Sequence, residues 1–64
     1  MFNNLKAELA RRGITQKRIS ELLGISQNTV TRKFKGLAKW KLDEMQKIAD
    51  LFPDLAIDYL FKQS

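Results

Sequence analysis

Residues 15–32 read TQKRISELLGISQNTVTR, from Thr15 to Arg32, two short amphipathic segments parted by one glycine. Thr15 is an N-cap residue, and Ile19, Leu22 and Leu23 give the segment after it an apolar side at helical spacing before Gly24 stops it. Ser26 caps a second segment with Val30 and Phe34 at i, i+4, which Lys35 and Gly36 break. Only Gly24 and Ile25, with Ser26 as the cap, join the two. Helices so closely joined cross at a steep angle and do not fold back antiparallel, which is helix-turn-helix geometry. Ile19, Leu23, Ile25 and Val30 are the apolar residues that lock such a crossing, and Ser20 is small where the backbones approach. A helix of about eight residues is marginal alone in water, so its neighbours must hold it.

Three more helices follow on either side. Before the pair, roughly Asn3 to Arg12 places Phe2, Leu5 and Leu9 on one face and ends at Gly13, with Arg11 and Arg12 against the negative pole of that helix. After it, a loop through Leu37 and Lys39 leads to a fourth helix over roughly Leu42 to Phe52, with Leu42, Met45, Ile48, Ala49 and Phe52 at spacings of three and four, ended by Pro53. Asp54 is placed to cap a fifth, about Leu55 to Lys62, burying Ile57, Leu60 and Phe61. With no strand-like alternation, no internal repeat and no low-complexity linker, the chain is read as a single all-α domain over residues 1–64. At this length a domain buries only roughly 60% of its unfolded surface, so every apolar face is needed.

Charge is segregated. The net +5 divides into ten bases against Glu8 and Glu21 from Met1 to Lys41, a balance of +8, and Lys47 and Lys62 against five acids from Leu42 onward, a balance of −3. A positive front with an acidic back suits a polyanionic partner. The chain has no cysteine and no histidine, which removes disulfides, thiolate chemistry, an imidazole base and the usual zinc ligands. No nucleophile–base pair or paired carboxylate is found, so the expectation is not an enzyme, with no cofactor, metal or small-molecule substrate. No apolar run approaches the roughly 20 residues of a membrane span, and the start of the chain is charged where a signal peptide is apolar; a cytoplasmic protein is expected.

Thr15-Gln16-Lys17-Arg18-Ile19-Ser20-Glu21-Leu22-Leu23-Gly24-Ile25-Ser26, continuing Gln27-Asn28-Thr29-Val30-Thr31-Arg32, resembles the Cro and phage-repressor (XRE-type) family of helix-turn-helix proteins. The resemblance extends over nearly the whole chain, since caps, turn glycine, core positions and helix count agree together. Three positions depart from the family's habit. Ser20 stands for the usual alanine; Lys33 takes a usual aliphatic place, with Phe34 one residue later, which would rotate or extend the helix's last turn; and Trp40-Lys41 precede the fourth helix in place of a Ser or Thr cap. Trp40 is read as an apolar staple at the edge of the core, since one tryptophan is no base-stacking platform.

The resemblance implies a five-helix lambda-repressor-like fold whose third helix enters the major groove of double-stranded DNA. Base reading then falls to Gln27 and Asn28, whose amides pair bidentately with adenine, and to Thr31 and Arg32 one turn on, the methyl against thymine and the guanidinium against guanine. Phosphate contact falls to Gln16 at the start of the second helix, with Lys17, Thr29, Lys33, Lys35 and Lys39 near the groove edge. Glu8, Glu21 and the acidic back are read as solubilising. The family generally acts as two-fold dimers on palindromic operators, so a homodimer, at least on DNA, is expected, with Ile57 to Phe61 and Tyr59 as the candidate interface. The rival reading is a helical protein-interaction module or antitoxin-like partner, whose binding surface would be less basic and more apolar. RNA binding lacks the glycine-loop and aromatic signatures of its common modules.

Overall fold

In a computed structural model that describes residues 1–63, five helices follow in order: α1 Asn3–Arg11, α2 Gln16–Leu23, α3 Gln27–Phe34, α4 Leu42–Ala49 and α5 Ile57–Leu60. No strand occurs among the described residues, and none of these helices is long and apolar enough to cross a membrane. The all-α expectation holds, and so do both caps of the central pair. Thr15 Oγ1 accepts from the Arg18 N–H and Ser26 Oγ from the Thr29 N–H, both at 3.1 Å. Gly24 ends α2 at φ +69°, and the Ile25 N–H returns to the Ser20 carbonyl at 3.1 Å, the six-to-one bond of a Schellman ending. Ile14 to Leu9 and Leu37 to Arg32 close α1 and α3 in the same way.

The core is Phe2, Leu5, Leu9, Ile19, Val30, Phe34, Ile48, Phe52 and Leu60, all buried, drawn from every helix and the connections beside them. Leu23 and Ile25 flank it half-buried, while Ile19 and Val30 fill the crossing itself. Trp40 is the predicted core-edge residue and more: its ring meets Phe2, Phe34 and Phe61 edge-on at centroid distances of 6.2, 5.2 and 5.5 Å. Such pairs favour edge-to-face geometry, so one half-buried indole ties the start of α1, the end of α3 and α5 together. Burial against it holds Phe2 at φ 57°, a left-handed backbone that an aromatic residue otherwise avoids.

The back half differs from its sequence reading. α4 stops at Ala49, because the Leu51 and Phe52 N–H groups bond three residues back, to Ile48 and Ala49, and Pro53 disfavours helix at Phe52. Phe52 reaches the core from this tightened turn. α5 is only four residues, capped by Ala56, and Asp54 is no cap: its carboxylate faces Arg12 at 3.4 Å. Of the three residues expected to bury there, Leu60 does so fully, and Ile57 and Phe61 lie half-buried. Leu42, expected inside, is 66% exposed.

Candidate nucleic-acid interface

α3 presents one broad polar face. Positions 27, 28, 31, 32 and 35 are spaced at i, i+1, i+4, i+5 and i+8 and so lie together, opposite the side that carries Val30, Lys33 and Phe34. Gln27, Asn28, Arg32 and Lys35 are exposed; Thr29 and Thr31 are half-buried. Thr29 is engaged locally, its Oγ1 2.9 Å from Ser26 Oγ. Thr31 reaches further and donates its hydroxyl to Gln16 Oε1 on α2 at 2.9 Å. Thr31, expected to read a base, and Gln16, expected to hold backbone, are thus brought together by the helix crossing. Lys17 and Lys39 are exposed as well.

Lys33 does not join them. Only 5% exposed, it points inward, and its ammonium donates to Glu44 Oε1 at 2.9 Å and to the Lys39 carbonyl at 2.7 Å, which corrects its assignment as a phosphate contact. A lysine can take an aliphatic position because its stem packs like a hydrocarbon, provided that the charge is paired and hydrogen-bonded. α3 therefore keeps its register, with Lys33 in the aliphatic slot and Phe34 buried beside it; no rotated last turn is needed. The same Glu44 oxygen accepts the Lys41 N–H at 2.9 Å, which supplies half of a capping box to α4; the reciprocal half is closed to an ammonium, which cannot accept. Burial alone would raise the Glu44 carboxyl, but the hydrogen bonds from Lys33 and the Lys41 backbone, with both nearby charges, hold it below its ordinary value.

Other front charges are also committed. Glu8, read as solubilising, is buried and accepts from Arg11 and, at 3.1 Å, from the Tyr59 hydroxyl. Arg12 donates to the Leu51 carbonyl at 3.0 Å and lies 4.5 Å above the Phe52 ring, a tether between α1 and the α4–α5 turn. Glu21 stays on the surface, 3.7 Å from Arg18.

Lys6, one of the ten bases of the front, has no site role in the sequence reading. It lines a shallow cleft with Gln16, Leu9, Ala10, Ile14 and Phe34, which sets a second cation beside the start of α2. No local pattern marks it, since Lys6 and Gln16 come to line one cleft only in the folded chain.

No curated protein and no solved structure matches the chain. The family that does match bears a different name from the Cro and phage-repressor family that residues 15–32 resemble, and what the two readings share is a small helical helix-turn-helix domain. It covers residues 1–64 under the description BetR domain, and the chain belongs to that family.

Proposed function

We propose that this domain is a sequence-specific regulator that binds double-stranded DNA by laying α3 in the major groove. The observation that carries the reading is the row of exposed hydrogen-bonding side chains Gln27, Asn28 and Arg32 on a helix whose opposite side is fully packed. Amides pair with adenine and guanidinium with guanine, each good bidentate contact giving about 1 to 3 kcal/mol of discrimination. Gln16, Lys17, Lys35 and Lys39, joined by Lys6, then hold phosphates and set register without reading sequence. Thr29 sits at the edge of that set with its hydroxyl already shared with Ser26. That α3 carries no acidic residue favours laying this helix against a polyanion. A repressor acting in the cytoplasm as a homodimer on a palindromic operator, its half-sites about 34 Å apart, is the arrangement that best fits one short reading helix per copy.

Selection from random duplex DNA, followed by affinity measured against salt, tests this. An enriched palindromic motif and a steep negative log–log salt slope are expected. Arg32→Ala should relax preference at one base position, whereas Lys35→Ala should weaken all duplexes equally and lower the slope by about one. Failure to enrich any motif would refute the reading and favour a protein-interaction module, for which the exposed Leu37 in the α3–α4 connection and Leu42 at the start of α4 are the specific support.

A further inference from the structure

We infer that Thr31 is a positioning residue, one that orients Gln16 for a phosphate and does not read a base with its hydroxyl. This rests on the DNA-binding reading above. A threonine within a helix ordinarily returns its hydroxyl to a carbonyl three or four residues back. Thr31 instead spans the turn and donates to Gln16 Oε1, fifteen residues earlier in the chain. Gln16 is the first residue of α2 and is exposed, and no other hydrogen bond of its side chain occurs among the described residues.

Two consequences follow from donor and acceptor chemistry. With its oxygen turned to Thr31, the Gln16 amide leaves its NH2 group, a donor without a partner among the described residues, beside the outward N–H groups at the start of α2. A phosphate oxygen is an acceptor, so the pair fixes Gln16 in the sense that a DNA backbone needs. A free glutamine would also lose rotamer freedom on binding, and the tether restricts that freedom beforehand. The base-reading set contracts accordingly to Gln27, Asn28 and Arg32, with the Thr31 methyl as the part of that side chain left for a base.

Thr31→Val keeps the branched shape and removes the donor; Thr31→Ser keeps the donor and removes the methyl. Measured on the selected duplex and on unrelated duplexes, Thr31→Val should weaken both by the same factor, about three- to tenfold, the range of one neutral hydrogen bond. The preferred motif should be retained. Its salt slope should equal the wild-type slope, because Gln16 is neutral and releases no counterion. Thr31→Ser should bind within about twofold of wild type, with any change confined to one base position. Gln16→Ala should lose about as much as Thr31→Val or more, and the double variant should lose no more than Gln16→Ala alone, the mark of two residues acting through one contact. In the free protein, the Gln16 side-chain amide NMR signals should shift in Thr31→Val and keep their place in Thr31→Ser.

Unaltered affinity in Thr31→Val, losses that multiply in the double variant, or a changed base preference in Thr31→Val would each overturn the assignment while leaving DNA binding intact. A wild-type protein that enriches no motif would overturn the binding reading and this role together.

Discussion

The α2–α3 pair and the α4–α5 segment are built by different rules. The front pair is held by neighbours in sequence: two caps each reaching three residues ahead, a six-to-one turn at Gly24, and Ile19 against Val30 across eleven residues. The back is held by side chains that reach across the chain. Lys33 grips Glu44, Arg12 grips the turn at Leu51 and Asp54, the Tyr59 hydroxyl meets Glu8, and Asn4 donates to the Tyr59 carbonyl at 2.9 Å. A unit defined by short-range bonds keeps its shape whatever covers its outer face, which leaves α3 free to carry polar groups there. A turn and one-turn helix with few bonds of their own need α1 and α3 to fix them.

Breaking the most deeply buried of these ties should do the most damage. Lys33→Met strands a buried carboxylate, and a loss of about 3 to 5 kcal/mol is expected in urea unfolding. Pairing it with Glu44→Leu should restore much of that, because apolar side chains of similar volume fill the site without a charge to desolvate. A double variant as unstable as Lys33→Met would show that the carbonyl and backbone bonds matter more than the charges. Because Glu44 titrates lower when folded than when unfolded, its contribution is complete above the ordinary glutamate value and drains away as pH falls through the folded value. Acid unfolding of the wild type should accordingly steepen below about pH 4.3, and Glu44→Gln should flatten that limb.

A smaller effect is expected at the front. A Cβ on Gly24 meets nothing within 4 Å, so Gly24→Ala should cost only the left-handed backbone, about 1 to 2 kcal/mol in the same unfolding experiment. A greater loss would mean that the turn depends on more than its backbone angle. The smallest change is expected for Asp54→Asn, since both partners of that ion pair are open to solvent: under about 1 kcal/mol, diminishing with salt. Should it exceed Lys33→Met, the ranking of ties in the back half would be inverted.

The legible parts follow the same division. Thr15, Gly24 and Ser26 act within one turn of where they stand, so their roles can be read in order along the chain, and the all-α class and the polar face of α3 come with them. Glu8 and Lys33 are not legible along the chain for one shared reason: each is a charged residue with a partner, Tyr59 or Glu44, on an element that approaches only on folding. Opposite charges eleven residues apart occur by chance in any chain with 30% charged residues, so spacing alone could not single out Lys33 and Glu44. Apolar periodicity predicts α4 and α5 longer than they are, because it continues through Leu51, Phe52 and Phe61 even where the backbone has left the helix.

By itself, then, the sequence determined where helices start and stop around Gly24, which residues form the inner side of the crossing, and that positive charge gathers in the first two-thirds. Only the tertiary structure decided which of those charges remain outside. Lys33 is drawn inside to Glu44, Arg12 is bound to the Leu51 carbonyl, Thr31 is turned to Gln16, and Lys6 comes to line a cleft with Gln16. The reason is physical: caps and turns are satisfied within a few residues, whereas a buried charge must be paired by whatever the fold places within about 3 Å of it.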